Sequence, residues 1–231
     1  HVANLRNARG ENHPNILKFA DIAIRSGADS ITVHLREDRR HIKDLDLKRL
    51  CKKRIKINLE MACNNKMLAI ALRNMPSYVC IVPEKREEQT TEGGLDVRAN
   101  KSFLSEFVER LKKAGIRVSL FIDADATQIR ASSKLGADIV ELHTGTYCHA
   151  HHDGDSAAFE AELEKLATGA ALADELGLEV HAGHGLCFET VKPIAAIPQI
   201  LELNIGHFLI GESIFEGMPL TIKRFRKILV Q

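Results

Sequence analysis

Short runs of β-branched and apolar residues alternate with longer segments of helical periodicity along the chain. The spacing of roughly 20 to 35 residues between successive runs is typical of βα units built around a parallel sheet. Seven strands are predicted from these runs: Ser30–Leu35, Ile55–Glu60, Tyr78–Pro83, Arg117–Asp123, Asp138–Thr144, Leu178–Ala182 and Leu201–Gly206.

The segments between these strands carry helical patterns. Apolar side chains at positions 103, 104, 107, 108 and 111 predict a helix over Asn100–Ala114. The Ala/Leu/Glu-rich segment Ala157–Leu176 predicts a longer helix, and Phe208–Gly217 is also helix-like. Several helices are expected to end at a glycine in the left-handed conformation, which glycine adopts without a Cβ clash. These glycines are Gly27, Gly115, Gly136 and Gly177.

Recurrence of the same unit predicts a (β/α)8 TIM barrel. A closed barrel needs an eighth strand, so we expect the first strand upstream of, or at the start of, the sequence that opens with His1. We expect one domain over residues 1–231, because barrels of about this length form a single core. An open doubly wound sheet is the alternative. It would normally carry a glycine-rich phosphate loop after its first strand, and neither GxGxxG nor GxxxxGK[ST] is present.

Charge and cysteine usage narrow the class of protein. The 32 Lys and Arg residues are balanced by 31 Asp and Glu residues, so no global basic field exists to attract nucleic acid or a membrane surface. No run of 18 apolar residues is present to span a bilayer. The five cysteines lie far apart with no CxxC pair, which favours a reducing compartment and a cytoplasmic location.

Ionisable residues stand at the ends of several predicted strands, where active sites of such barrels lie. They are His34, Glu60, Glu141, His143, His181, His184 and His207. Because side chains alternate along a strand, Glu141 and His143 share a face, and we expect that face and His34 to point into the barrel or its mouth. A single strand-end histidine is more often a satisfied core residue. Several gathered in a water-poor cup instead predict multistep proton transfer.

Two glycine-containing segments near the C-terminus, Ala182–Gly185 and Asn204–His207, predict phosphate binding. Backbone N–H groups and the N-terminus of a following helix favour an anion there, although simple turn chemistry is the alternative for either segment. A second anion site is suggested by arginines, whose planar forks suit phosphate, while each alone is also compatible with a solvated surface charge. These arginines are Arg6, Arg9, Arg36, Arg39 and Arg40.

The polar segment Pro83–Val97 predicts a lid, with a passive surface loop as the alternative. Lys85 within it could form a Schiff base only if its pKa were lowered, and its highly charged neighbours offer little desolvation, so a surface lysine is expected. The histidines of His149–Asp153 resemble a metal cluster. Consecutive polar residues in a loop lack the fixed face that zinc requires, so we expect adventitious affinity only.

Eight stretches spread over nearly the whole chain match one family pattern. They are His1–Gly10, Ile31–Ile42, Asn58–Ala62, Val82–Val97, Leu120–Asp125, Glu141–Gly145, Ala182–Leu186 and Leu203–His207. They resemble the pyridoxine 5'-phosphate synthase family. The resemblance implies a transferase of vitamin B6 biosynthesis that condenses 1-deoxy-D-xylulose 5-phosphate with 3-amino-2-oxopropyl phosphate, releasing phosphate and water. It implies small phosphorylated substrates, no metal or organic cofactor, and a homo-octamer.

The resemblance also implies residue roles. His34 and Glu60 correspond to proton acceptors, His184 to a proton donor, and Glu141 to a group that stabilises developing charge. His181 departs from the pattern, since the family carries Asn there. The positions that match xylulose phosphate binding are His1, Arg36, His41 and Thr90; those that match aminoketone phosphate binding are Arg9, Gly185, Gly206 and His207.

On the residues alone, two other functions stay open. A phosphate-handling barrel enzyme of another kind, an isomerase, epimerase or Lys-dependent aldolase, would use the same scaffold. A noncatalytic phosphometabolite-binding protein would keep the glycine and arginine sites without needing four ionisable groups together.

Overall fold

The computed structural model describes residues 1–84 and 93–230, in which seven strands alternate with eleven helices. The strands are β1 Ile31–His34, β2 Ile57–Met61, β3 Tyr78–Ile81, β4 Arg117–Ile122, β5 Ile139–His143, β6 Glu179–Gly183 and β7 Ile200–Asn204. The helices are α1 Val2–Ala8, α2 Ile16–Arg25, α3 Asp44–Cys51, α4 Asn65–Asn74, α5 Lys101–Lys113, α6 Ala126–Leu135, α7 Gly145–His152, α8 Ser156–Glu175, α9 Val191–Ala195, α10 His207–Glu216 and α11 Met218–Leu229.

All seven strands pair in parallel, in chain order from β1 to β7. The sheet curls until its two outer strands face each other, because Thr32 Oγ1 on β1 donates to Asn204 Oδ1 on β7 at 2.7 Å. The fold is therefore the predicted TIM barrel, of which the described residues contain seven strands. The expected eighth strand, upstream of His1, stays a prediction.

The hydrophobic core lies between the strands and the surrounding helices. Outward-facing strand residues such as Leu59, Val79 and Val140 are buried there against helical residues such as Phe107 and Leu166. The inward-facing positions are different: barrels of this type usually fill them with branched apolar side chains, whereas this one carries polar groups. Those polar groups are Thr32, Asn58, Glu60, Cys80, Ser119, Glu141 and His181.

Helix α5 shows how the sequence pattern becomes packing. Four of its five predicted apolar positions are buried, namely Leu104, Phe107, Val108 and Leu111. Phe103 is instead 49% exposed and packs beside Phe107 with ring centroids 4.9 Å apart. The predicted glycine ends are confirmed, because Gly27, Gly115, Gly136 and Gly177 all have positive φ.

One local prediction is wrong. The histidines expected in a loop at His149–Asp153 belong to α7, which ends at His152. Tyr147 explains the helix, since its ring is fully buried, stacks on Phe159 at 4.4 Å and donates its hydroxyl to the Thr190 carbonyl at 3.0 Å. Tertiary packing of this aromatic ring thus overrides the polar character of the segment.

Candidate active site

Strand register brings the predicted ionisable residues to one end of the barrel. His34 on β1 lies opposite Glu60 on β2, and Glu60 in turn lies opposite Cys80 on β3. Across the barrel, His143 on β5 lies opposite Gly183 on β6, immediately before His184. Since all strands are parallel, their carboxyl ends meet at one mouth, as predicted.

His34 lies between two carboxylates. Its Nδ1 is 3.7 Å from Glu60 Oε2, and its Nε2 is 3.4 Å from Glu84 Oε2. Glu84 Oε1 also accepts the N–H of Glu37 at 2.9 Å. Burial raises the pKa of Glu84, but the hydrogen bonds from His34 and from the Glu37 N–H outweigh burial. The pKa of Glu84 therefore lies below its ordinary value. His34 is therefore held by an ionised carboxylate on one side and faces Glu60 on the other.

His41 lies beside His34, with ring centroids 5.8 Å apart. Burial, followed by the neighbouring His34, lowers the pKa of His41 to about 4. The Ile42 N–H donates to His41 Nδ1 at 2.9 Å, which places the ring proton of the neutral imidazole on Nε2 as a donor. The guanidinium of Arg36 is buried near Glu84, with 3.9 Å between Nε and Oε1.

Glu141 is a buried carboxyl on the interior face of β5. Asn204 Nδ2 donates to its Oε2 at 2.9 Å, and the Cys80 thiol lies 3.8 Å from the same oxygen. Burial, then repulsion from Glu60 and Glu202, raises the pKa of Glu141 well above its ordinary value. A carboxyl kept neutral in this way can act as a hydrogen-bond donor near neutral pH.

Gly183 allows β6 to approach this carboxyl closely. A Cβ at that position would lie 2.5 Å from Glu141 Oε1 and 2.9 Å from the Asn204 carbonyl oxygen. Thr144 fixes the turn that follows, because its hydroxyl lies within hydrogen-bond distance of two carbonyl oxygens, that of Gly183 at 2.7 Å and that of His184 at 2.6 Å. The structure thus explains why a residue without a side chain precedes His184.

His184 has φ of 82°, a left-handed conformation that is uncommon for a residue with a side chain. Its ring packs beside His143 with centroids 5.2 Å apart. Burial, then the neighbouring His143, lowers the pKa of His184 to about 4. The imidazole is therefore neutral at pH 7 in the unliganded protein.

The residues predicted for aminoketone phosphate lie on α1, on α10 and on the turn after β6. Gly206 caps α10, and His207 is the first residue of that helix. His1, predicted for the other substrate, lies against Gly206, since a Cβ there would be 2.7 Å from His1 Cε1; its ring is 5.7 Å from that of His207. Arg9 is exposed at the end of α1, and Gly185 is exposed one residue after His184.

Four of the five arginines suggested for anion binding are engaged with aspartates. Arg6 binds Asp46 through two hydrogen bonds of 2.7 and 2.9 Å, and Arg39 binds Asp44 at 2.8 and 3.1 Å. Arg40 and Arg36 both pair with Asp38, at 2.7 and 3.4 Å.

Two predicted features fall on residues that the structure does not describe. Thr90 and Lys85 lie outside the described residues, as does most of the segment predicted to be a lid. In the described part of the chain, no group of three or more His, Cys, Asp or Glu side chains is arranged to hold a metal ion.

His181, the departure from the family pattern, lies below this mouth inside the barrel. Its Nε2 is 2.8 Å from Glu179 Oε1, and its Nδ1 is 3.8 Å from Glu202 Oε1. Glu179 is also bound by Arg117 at 2.9 Å. The buried His181 side chain is thus held between two carboxylates, those of Glu179 and Glu202.

Sequence reasoning missed three residues of the site. Glu84 contacts His34, Asn204 contacts Glu141, and Asp123 Oδ1 lies 3.2 Å from His143 Nδ1. Asp123 and Asn204 lie at or just after strand ends, the signal that identified His34 and Glu60. Glu84 lies three residues after the end of β3. Its charged sequence neighbours are typical of a surface loop, so no sequence signal marked it as a site residue.

Acidification from pH 7 to pH 5 is expected to destabilise the fold through His184. The unfolded chain binds a proton there near the ordinary pKa, whereas the folded chain resists until about pH 4. Between these values the unfolded state holds more protons, so stability falls as pH falls. In His184→Asn, which suits positive φ, the loss should be smaller by about 2 kcal/mol. Urea unfolding at pH 7 and at pH 5 measures the free energy of unfolding of each protein.

The matched control for this measurement is His152→Asn, because His152 is exposed at the end of α7. It should lose as much stability on acidification as the wild type. If His184→Asn also loses as much, the buried neutral state of His184 is wrong.

Comparisons with known proteins identify the family of this chain. The family model described as Pyridoxal phosphate biosynthesis protein PdxJ matches residues 1–231. A Pyridoxine 5'-phosphate synthase from Caulobacter vibrioides is 57% identical over 233 residues, which covers 99% of this chain and 92% of the relative. One from Roseobacter denitrificans is 55% identical over 230 residues, with the same coverage. Among residues 1–84 and 93–230, no helix has the length and apolar character needed to cross a membrane.

Solved structures with low sequence identity share the fold. A 3-keto-L-gulonate-6-phosphate decarboxylase from Vibrio cholerae has a TM-score of 0.62 at 12% identity, covering 91% of this chain and 88% of that chain. A phosphoribosyl anthranilate isomerase from Thermus thermophilus has a TM-score of 0.58 at 11% identity, covering 92% and 94%. These likenesses support the barrel alone. The match of the family model over the whole chain, and relatives above half identity, show that the chain belongs to the PdxJ family of pyridoxal phosphate biosynthesis proteins.

Proposed function

We propose that this enzyme of vitamin B6 biosynthesis is a pyridoxine 5'-phosphate synthase. It condenses 1-deoxy-D-xylulose 5-phosphate with 3-amino-2-oxopropyl phosphate to pyridoxine 5'-phosphate, releasing phosphate and water. The observation that carries the proposal is the gathering of His34, Glu60, Glu141 and His184 at one barrel mouth, in a chain of the PdxJ family.

The proton acceptors are His34 and Glu60. The two side chains lie 3.7 Å apart, so a proton taken by one can be shared with the other. Glu84, on the far side of His34, lies 3.4 Å from Nε2 and so holds the ring with Nδ1 toward Glu60. This arrangement suits repeated proton removal during ring closure.

The proton donor is His184. Its pKa of about 4 in the unliganded protein means that it has no spare proton at pH 7. A phosphate dianion bound at Gly185 would favour the imidazolium form, because an opposite charge nearby raises the pKa of an imidazole. Binding of the phosphorylated substrate thus favours the protonated form of His184, which is the form that can donate a proton. Glu141, neutral and buried behind Gly183, stabilises charge as it develops.

The two phosphates bind in different places. Arg36 and the Nε2–H of His41 hold the xylulose phosphate beside His34, and Thr90 is proposed for the same group from the family pattern. Arg9, Gly185, Gly206 and His207 hold the aminoketone phosphate, where the N-terminus of α10 favours an anion. His1 contacts Gly206, so it stands where the two substrate sites meet.

The chain acts without a metal or organic cofactor, as a cytoplasmic homo-octamer. Exposed apolar side chains on α10 and α11 support assembly, since monomers rarely expose such groups together. They are Ile214, Phe215 and Leu220, which are 70%, 83% and 59% exposed. Sedimentation velocity measures the assembly state.

The test of function is to mix both substrates with the purified protein and follow pyridoxine 5'-phosphate and free phosphate. Both should appear together, and neither should appear when one substrate is omitted. An adduct at Lys85 trapped by borohydride, without the pyridoxine product, would identify a Lys-dependent aldolase instead. Tight binding of either substrate without turnover would identify a phosphometabolite-binding protein.

A further inference from the structure

His143 and Asp123 form a hydrogen-bonded pair to which the mechanism above gives no role. His143 Nδ1 lies 3.2 Å from Asp123 Oδ1. The His143 side chain is 8% exposed and that of Asp123 is 50% exposed. The Gly94 N–H donates to the same Asp123 oxygen at 3.2 Å. The carboxylate is therefore fixed from two directions at the end of β4.

The other side of the His143 ring faces His184. A Cβ on Gly145 would collide with Nε2 and Cε1 of His143 and would lie 3.2 Å from Cδ2 of His184. Only glycine leaves room for both rings at this first residue of α7. Phe121 packs against both imidazoles, at centroid distances of 5.2 and 6.4 Å. The two histidines thus share one pocket, with Nε2 of His143 on the side of Gly145.

The charges around this pocket are few. A carboxylate beside Nδ1 favours a proton there, and a positive His143 opposes a second proton on His184. The exposed His149 on α7 also lowers the pKa of His184. Lys165 on α8 lowers the pKa of Asp123. Cys148 contributes a contact from its thiol to the His184 carbonyl at 3.8 Å. The hydrogen bond from His143 lowers the pKa of Asp123, so the carboxylate is ionised.

We propose that Asp123 and His143 are positioning residues for His184. Asp123 fixes a proton on Nδ1 of His143, and the His143 ring holds His184 in place until a phosphorylated substrate binds. The catalytic part of this inference rests on the proposed function, in which His184 is the proton donor. The electrostatic part depends only on the geometry described above.

NMR of protein labelled in histidine tests the electrostatic part. His143→Gln keeps a hydrogen-bonding partner for Asp123 but removes the imidazole that opposes a proton on His184, so the pKa of His184 should rise by about one unit. His149→Gln should raise it less, because an exposed charge is screened. In the wild type His143 should carry a proton on Nδ1. In Asp123→Asn the amide can donate to Nδ1, so the neutral ring should move its proton to Nε2.

An unchanged titration of His184 in His143→Gln would overturn the proposal. So would a neutral wild-type His143 that carries its proton on Nε2. Because Asp123 is half exposed, Asp123→Asn keeps the tautomer measurement accessible even if His143→Gln does not fold.

Kinetics test the catalytic part. Asp123→Asn is expected to lower kcat by about 10-fold or more, with KM unchanged and the acidic limb of the kcat–pH profile displaced. Asp125→Asn is the matched control, since Asp125 caps α6 through Thr127 and Gln128 and Asn is an equally good N-cap. Its kinetics should equal those of the wild type. A wild-type kcat–pH profile in Asp123→Asn would overturn the catalytic part.

Failure of the wild type to form product would count against the proposed function alone, and the NMR result would still decide the electrostatic part.

Discussion

Glu60→Gln is expected to lower kcat by about 10²- to 10⁴-fold while KM stays within a few-fold of the wild-type value. The amide has nearly the same shape as the carboxylate, so the packing of β2 against β1 and β3 is retained. What is lost is the ability to accept a proton beside His34, whose Nδ1 lies 3.7 Å from Glu60 Oε2. A group that acts only in proton transfer contributes to turnover and not to uniform binding. Steady-state kinetics with each substrate varied measures both constants.

Glu106→Gln is the control for this substitution. Glu106 lies on the exposed side of α5, where its carboxylate pairs with the Arg110 guanidinium at 3.1 Å. Its kcat and KM should equal those of the wild type. Wild-type turnover in Glu60→Gln would remove Glu60 from the mechanism, and a higher KM at constant kcat would make it a binding residue.

Gly183→Ala is expected to damage both stability and activity. The added methyl group would lie 2.5 Å from Glu141 Oε1 and 2.9 Å from the Asn204 carbonyl oxygen, one of which must move. Overpacking of this kind costs about 1–3 kcal/mol of unfolding free energy. Because Glu141 is displaced and His184 is the next residue, kcat should fall by about 10²-fold, the scale of a 1 Å misplacement. Urea unfolding and steady-state kinetics measure the two effects.

Gly211→Ala is the matched control, since a Cβ at Gly211 on α10 meets nothing within 4 Å. Alanine favours helix over glycine by about 1 kcal/mol, so this variant should be as stable as the wild type or more so. Equal activity and stability in Gly183→Ala and Gly211→Ala would show that β6 is not packed closely against the Glu141 carboxyl at Gly183.

The sequence by itself determined the strands, four glycine helix ends and the edge of the barrel that carries the chemistry. Strand and helix periods depend on near neighbours in the chain, so the runs ending at His34 and Glu60 could be recognised without any distant contact. The parallel arrangement then placed those ends together, because every βα unit returns the chain to the same side of the sheet. Glu141 and His143 were predicted to share an inward face because side chains alternate along a strand, and the structure confirms it.

The tertiary structure alone decided which groups touch and which protons they hold. Thr32 and Asn204 are 172 positions apart and meet only because the sheet curls, and Asn204 then reaches Glu141. No local pattern encodes such distances, since they depend on strand register and twist. Burial beside other histidines makes His41 and His184 neutral, and the packing of Tyr147 turns a polar segment into α7. Protonation and close approach are properties of the assembled barrel, because each depends on how much water and charge the folded neighbours leave around a side chain.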